Sequence, residues 1–260
     1  MRRTLILGNS HAAMLRRAAT ETGAMARGEV AFWGLPGGAF GKARTGADGI
    51  LRPDPDDALS LQKLTEWNVA PQIDLAGFDR VFLVGLRFGL RAVLTLFQGV
   101  AAAELTARPG ARLVSAAFLR AACAGMVRDS LAGHLARIPG DARFAVMAAP
   151  YPGLVTAMPG PLREAPMVAI RSHPDAATLL QLYEAEVAAA VTAAGMTFVP
   201  QPRLTLAAPF LTRVEHLADP AREGRHMDGA FGHLALQALD AALPDPLYLP
   251  RAMALAAPTA

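Results

Sequence analysis

The chain contains a single cysteine, Cys123, among its 260 residues. One thiol cannot form an intramolecular disulfide, and a cysteine-based metal site needs several thiolate ligands, so both are excluded. The six histidines do not stand in a convincing metal-ligand spacing either. We therefore expect neither a metal nor another cofactor. A cytoplasmic location is the default expectation for a chain without disulfides.

Long apolar runs are also missing. After Met1-Arg2-Arg3 the apolar run is only Leu5-Ile6-Leu7, which is too short for the core of a signal peptide. The alanine-rich windows at 101–103 and 187–194 are likewise short and bounded by polar residues or glycine. A bilayer-spanning helix needs roughly 20 apolar residues, so we expect no secretion signal and no integral membrane segment.

The sequence also lacks a cluster of positively charged residues. The formal net charge is only +3, and the arginines are scattered along the chain instead of forming a run. A nucleic-acid surface typically combines a basic stripe with aromatic side chains, and no such pattern is present. We therefore expect no nucleic-acid partner, while the oligomeric state stays open.

What the sequence does contain is an alternation of strand and helix patterns, with 53% hydrophobic residues. Five apolar runs predict strands and five amphipathic or alanine-rich segments predict helices. The strands are at 4–8, 29–34, 82–85, 144–149 and 197–199, and the helices at 11–22, 56–67, 115–138, 174–194 and 232–242. This order predicts one three-layer α/β/α domain, 1–243, with a mainly parallel five-stranded sheet.

Two irregular segments accompany that domain. The stretch 35–55 is rich in Gly, Pro and Asp, and Asp48-Gly49 between short apolar pieces predicts a small hairpin within it. The prolines after 243 predict an extended C-terminal tail, 244–260.

The first predicted strand runs directly into Gly8-Asn9-Ser10-His11, where a helical pattern begins. Ser10 thus stands on a tight strand-to-helix turn, at the sheet edge where α/β proteins bind ligands. Ser is also a preferred N-cap residue, and on this stretch alone the cap is the favoured interpretation.

A second polar cluster precedes the last predicted helix. Glu223 stands three residues before His226, a spacing at which a carboxylate can orient an imidazole and leave its other nitrogen for a serine. Asp228 is the competing carboxylate. Ser10, His226 and Glu223 therefore form a candidate catalytic triad.

The strand with Gly-Asn-Ser-His and the acidic-x-x-His loop together resemble the SGNH (GDSL-type) hydrolase family. This resemblance implies a flavodoxin-like fold and the hydrolysis or transfer of acyl esters, often acetyl groups on carbohydrates. It implies Ser10 as nucleophile, His226 as general base and Glu223 as the acid that the family usually supplies as Asp. The implied partner is a small-molecule or carbohydrate ester.

The same resemblance implies an oxyanion hole. The backbone N–H of Ser10 is one expected donor, and the glycine after the second strand is another. Gly34 is the best match for that glycine, with Gly37 and Gly38 as alternatives.

The third donor of the family is an Asn in a Gly-x-Asn turn, and here the turn reads Gly85-Leu86-Arg87. Arg87 either replaces the Asn as a charged donor, binds an anionic substrate or points to solvent. Loss of one oxyanion donor typically costs roughly 3 kcal/mol of transition-state stabilisation. The departure is large enough to affect turnover.

Three hypotheses follow for the function. The first is an ester hydrolase, the second an acyltransferase on the same residues, and the third a degenerate relative that binds a glycan or anionic ligand without turnover. Asn9, His11 and Asp228 are candidate substrate-lining residues in all three, although a first-turn histidine such as His11 is more often a polar surface residue.

Overall fold

The computed structural model describes residues 3–27, 29–68, 70–102, 104–153, 165–220 and 224–244. The strands are β1 (Thr4–Gly8), β2 (Val30–Gly34), β3 (Arg44–Thr45), β4 (Ile50–Arg52), β5 (Ile73–Asp74), β6 (Arg80–Leu86), β7 (Val100–Ala102), β8 (Arg112–Val114), β9 (Phe144–Ala148), β10 (Thr197–Phe198), β11 (Leu206–Ala208) and β12 (Leu211–Thr212). The α-helices are α1 (Ala13–Glu21), α2 (Gly37–Phe40), α3 (Ala58–Trp67), α4 (Leu90–Gly99), α5 (Ala116–Leu135), α6 (Ala165–Ala169), α7 (Ala176–Ala193) and α8 (Gly229–Ala242).

The central sheet has five strands in the order β10-β9-β6-β1-β2, and every neighbouring pair is parallel. Counted along the chain, this is the order 2-1-3-4-5 of flavodoxin-like folds. Residues of β1 and β6 are buried throughout, which explains their continuous apolar runs, because a parallel sheet is covered on both faces. The predicted fold class is confirmed.

Side chains alternate between the two faces of the sheet and divide the core into two clusters. From β1, Ile6 packs into one cluster with α1 and α8, whereas Leu5 and Leu7 pack into the other. The second cluster also contains buried residues of α4, α5 and α7. Helices therefore cover both faces, giving three layers.

Helix α8 packs closely on α1 because of Gly232. A Cβ atom at this position would lie only 2.2 Å from the carbonyl oxygen of Met14, so a larger residue would push the helices apart. At the other end of α8, Asp240 forms a buried ion pair with Arg80 at the start of β6. These contacts hold α8 against the sheet, and the helix begins three residues earlier than its apolar pattern predicts.

The predicted hairpin is present as the antiparallel pair β3 and β4, with Gly49 at a φ of +77° after Asp48. Helix α4 was not among the predicted helices, although its buried residues 90, 93, 94 and 97 have helical spacing. Of the predicted C-terminal tail, 245–260 lies outside the described residues, so the tail stays a prediction. In the described ranges, none of the helices is both long and apolar enough to cross a bilayer.

Candidate active site

Ser10 lies where β1 ends against β6. Gly8 allows this approach, because a Cβ there would stand 2.2 Å from the carbonyl oxygen of Val84. A 3-10 turn follows at Ser10–Ala12, and its N-cap is Asn9, whose Oδ1 accepts a hydrogen bond from the N–H of His11 at 3.0 Å. The capping role considered for Ser10 therefore belongs to Asn9.

The side chain of Ser10 faces His226. Its Oγ lies 3.1 Å from Nε2 of His226, although 216 residues separate the two in sequence, and both residues are half-buried. This distance is within the reach needed for a histidine to take a proton from a hydroxyl nucleophile. The structure thus brings together two of the three predicted triad residues.

The backbone around His226 is held by hydrogen bonds on both sides. The carbonyl of His226 accepts from the N–H of Ala218 at 2.9 Å, and the N–H of Asp228 donates to the carbonyl of His216 at 2.9 Å. Gly224 accepts from the N–H of Gly153 at 2.8 Å, in the loop after β9. These contacts place the imidazole at the carboxyl edge of the sheet.

Glu223 and Asp228 flank His226 in the sequence. Glu223 lies outside the described residues, so its role as the triad acid stays a prediction. Asp228 is the N-cap of α8, and its Oδ1 accepts a hydrogen bond from the N–H of Phe231 at 2.8 Å. This bond gives Asp228 a structural role, and its predicted role beside the substrate stays untested.

His11 is buried beside the same histidine, with ring centroids 5.4 Å apart. Burial first, and then the nearby His226, Arg87 and Arg225 side chains, lower its pKa to about 3, against a hydrogen bond with the Arg225 backbone that raises it. Its Nδ1 finds no hydrogen-bond partner among the described residues. His11 is therefore a neutral imidazole at neutral pH, and the structure places it inside the site and not on the surface.

The predicted oxyanion donor Gly34 is already engaged. Its N–H donates to Oδ1 of Asn68 at 2.7 Å, and Nδ2 of Asn68 donates back to the Gly34 carbonyl at 2.8 Å. This pair conflicts with the predicted role of Gly34, because its N–H cannot reach an oxyanion without breaking that bond. The alternatives Gly37 and Gly38 are exposed in the short helix α2. Asn68 was not among the predicted site residues. The only indication in the sequence is that an Asn, whose side chain often hydrogen-bonds to nearby backbone groups, directly follows a predicted helix.

Arg87 is presented by an unusual turn between β6 and α4. Gly85, Phe88 and Gly89 have positive φ angles of 100°, 42° and 67°, and the pairing of β6 with β9 shifts register around Gly85. The hydroxyl of Tyr183 donates to the carbonyl of Arg87 at 3.0 Å. A positive φ at a buried phenylalanine is costly, and its neighbours must enforce it. The result is an exposed Arg87 side chain beside the site.

A cavity of about 1360 Å³ opens next to the serine and histidine. Its lining includes their sequence neighbours His11 and Arg225, and it extends along α4 and the loop after β9. Within the described part of the chain, no group of three His, Cys, Asp or Glu side chains is arranged to hold a metal ion. The site therefore offers a hydroxyl, two imidazoles and guanidinium groups.

Comparison with known proteins gives little further information. No family model matches the chain, and no curated protein matches its sequence. Among solved structures, the chain is similar to an extracellular lipase from Streptomyces rimosus, with 14% sequence identity and a TM-score of 0.41. The match covers 93% of this chain and 100% of the lipase chain. A likeness this distant carries no argument about function.

Proposed function

We propose that this protein is a serine ester hydrolase of the SGNH type, with Ser10 as nucleophile and His226 as general base. The observation that carries the proposal is the 3.1 Å distance between Ser10 Oγ and His226 Nε2. A hydroxyl and an imidazole in this relation, at the carboxyl edge of a parallel sheet and beside a large cavity, form the core of acyl-transfer chemistry.

The proposed reaction has two halves. Ser10 Oγ attacks the ester carbonyl carbon and passes its proton to His226 Nε2, giving a tetrahedral oxyanion. As the carbon–oxygen bond to the alcohol breaks, His226 returns that proton to the leaving oxygen and an acyl-serine remains. Water then attacks the carbonyl carbon of the acyl-serine and gives a proton to His226 Nε2. As the bond to Ser10 Oγ breaks and the acid is released, His226 returns this proton to Ser10 Oγ. Glu223 is the proposed partner that orients His226.

The oxyanion would be stabilised by fewer donors than the family pattern supplies. We assign one donor to the backbone N–H of Ser10, since the first N–H groups of a helical turn have no partner within it. Arg87 is the proposed second donor, as the exposed cation at the position of the family's Asn. If Gly34 contributes nothing, the loss of one such donor costs about 100- to 1000-fold in kcat.

Acyl transfer on the same residues is the second candidate. The cavity of about 1360 Å³ exceeds the range of about 300 to 1,000 Å³ that is typical of a site for one small molecule. A cavity of this size leaves room for an acceptor alcohol, which is the observation that supports transfer as the second candidate. Product analysis with and without added glycerol distinguishes the two outcomes, since transfer yields a glyceryl ester.

The proposal is tested with p-nitrophenyl acetate and butyrate and with a fluorophosphonate probe for reactive serines. Ser10→Ala and His226→Ala should each lower kcat by at least about a thousandfold, and the probe should label Ser10 in the intact protein. Ser172→Ala and His233→Ala are matched controls, because both side chains have their own partners, Ala169 and Glu21.

Unchanged turnover in Ser10→Ala would show that another group is the nucleophile. Ligand binding without any turnover or labelling of Ser10 would instead support the degenerate, ligand-binding form.

A further inference from the structure

The wall of the cavity carries strong positive charge. Four arginines line it, Arg87, Arg91, Arg112 and Arg225, and its described lining contains no Asp or Glu. Elsewhere on the surface, arginines such as Arg27 form ion pairs with carboxylates of nearby residues, whereas Arg87 and Arg91 have no such pair among the described residues. The cavity is therefore a cationic environment within an otherwise weakly charged protein.

Two of these arginines, Arg87 and Arg91, lie at the amino end of α4. Arg87 is near enough to His11 to lower the pKa of that imidazole. Arg91 lies four residues later, in the first turn of α4, and the N–H of Leu90 donates to the Arg87 carbonyl at 2.8 Å. Arg87 and Arg91 line the same cavity as His11.

Neither of these guanidiniums has an anionic partner among the described residues, and both side chains are exposed to the cavity. They also lie at the amino end of α4, a ten-residue helix whose dipole adds partial positive charge there. Adjacent unpaired cations repel each other unless an anion lies between them. An anionic ligand bound by these guanidinium groups would remove this repulsion.

The remainder of the cavity has a different character. Leu90, Leu96, Val100, Met126 and Met167 supply apolar lining along α4, α5 and α6. Arg112 lies at the opposite end, since its backbone pairs with Val100. Val100 is about 13 Å along the helix from Arg91, at a rise of 1.5 Å per residue. The cavity is therefore long, with Arg87 and Arg91 at one end, Arg112 at the other and an apolar middle.

We propose that the ester cleaved at Ser10 carries an anionic group, a carboxylate or a phosphate, close to its scissile carbonyl, and that Arg91 binds this group. The inference rests on the proposed hydrolase function and names its substrate class. Arg91 is the specificity-determining residue, whereas Arg87 is assigned to the oxyanion. An apolar portion of the substrate extends along α4 towards Arg112.

The test uses ester pairs that differ in charge. Mono-p-nitrophenyl succinate is compared with p-nitrophenyl butyrate, which places the anion on the acyl side. Butyryl-glycerol 3-phosphate is compared with monobutyrin, which places it on the alcohol side. We expect kcat/KM to favour the anionic member of at least one pair by about tenfold, the value expected for one charge-assisted hydrogen bond. The pair that shows the preference identifies the side that carries the anion.

Arg91→Ala should remove this preference by lowering kcat/KM for the anionic ester about tenfold more than kcat/KM for its neutral partner, which a general structural defect would not do. Arg112→Ala is the control inside the cavity, and Arg44→Ala is the control at an exposed arginine outside it. Raising the salt concentration should reduce the preference of the unaltered protein. No preference for either anionic ester, or loss of the preference in Arg112→Ala but not in Arg91→Ala, would overturn the proposal.

Binding to the Ser10→Ala protein separates this inference from the hydrolase proposal. Calorimetry with butyryl-glycerol 3-phosphate and mono-p-nitrophenyl succinate needs no turnover. Binding that is lost in the Ser10→Ala, Arg91→Ala double variant supports the anionic subsite even if neither ester is hydrolysed, and only the hydrolase proposal then fails. Normal hydrolysis of p-nitrophenyl butyrate without anion-dependent binding overturns the subsite alone.

Discussion

The side-chain amide of Asn9 is bound to the carbonyl oxygen of Gly85, with Nδ2 donating at 2.7 Å. Its Oδ1 accepts from the N–H of His11, so one side chain joins the turn that carries Ser10 to the turn that carries Arg87. Gly85 has a φ of +100°, and a Cβ there would lie 2.1 Å from Asn9 Oδ1. The predicted substrate-lining residue Asn9 therefore holds two halves of the candidate site together.

Gly85→Ala should damage both stability and turnover. The new methyl group would occupy the place of the Asn9 amide and force a strained backbone, which we expect to lower the free energy of unfolding by about 2–4 kcal/mol. Urea unfolding followed by circular dichroism measures this loss. Gly133→Ala is the matched control, because Gly133 lies in α5 with open space around it. That change should stabilise the protein by roughly 0.5–1 kcal/mol. Equal unfolding midpoints for the two variants would contradict the role assigned to Gly85.

Asn68→Ala tests the amide pair at the end of β2. Removing both hydrogen bonds to the buried Gly34 should cost about 1–3 kcal/mol of folding free energy, since its peptide group loses its partner. Hydrogen exchange of the Gly34 N–H, measured by NMR, should become faster. Gln62→Ala, at an exposed amide on α3, should change stability by less than about 0.5 kcal/mol.

The same variant examines the predicted oxyanion role of Gly34. Asn68→Ala frees the Gly34 N–H, so a higher kcat per folded molecule would show that this group can stabilise the oxyanion. An unchanged or lower kcat would remove Gly34 from the candidate donors.

His11 makes the stability of the protein depend on pH. The pKa of His11 is lowered to about 3 in the folded state, mainly by burial, from its ordinary value of 6.5. Between these values the unfolded chain binds more protons than the folded one, so the free energy of unfolding falls as the pH drops below 6.5. The slope from this residue is at most about 1.4 kcal/mol per pH unit.

His11→Gln should remove that contribution. Its free energy of unfolding, measured by denaturant titration from pH 7 to pH 4, should fall less steeply than that of the unaltered protein. His233→Gln, at a surface histidine beside Glu21, controls for the loss of a histidine in general. Parallel curves for the unaltered protein and His11→Gln would contradict the burial-driven shift.

Much of the fold could be predicted because its signals are local. The runs that became β1 and β6 are apolar at every position, as strands covered on both faces must be. The hairpin of β3 and β4 was predicted from the turn residues Asp48-Gly49. Helix α4 also has apolar residues at helical spacing. It was not predicted, because the Arg87-Phe88-Gly89 turn before it has no regular pattern that marks where the helix begins.

The candidate site was harder to predict from the sequence than the fold, and only some of its residues were predicted. Ser10 and His226 were predicted from short motifs and a family resemblance, and folding brings them to 3.1 Å. The engagement of Gly34 by Asn68 could not be predicted, since it depends on how α3 packs against the end of β2. The burial of His11 could not be predicted either, because it depends on side chains that are distant in sequence. That burial is the main reason why the imidazole is neutral.

The sequence by itself determined the alternation of strands and helices, the class of the fold and the residue types at the strand ends, because backbone preferences and apolar periodicity act over a few residues. Only the tertiary structure decided that Asn9 and not Ser10 caps the first turn, that Ser10 faces His226, and that the arginines share one cavity. Those relations join segments up to 216 residues apart, and packing of the two helical layers on the sheet sets their distances.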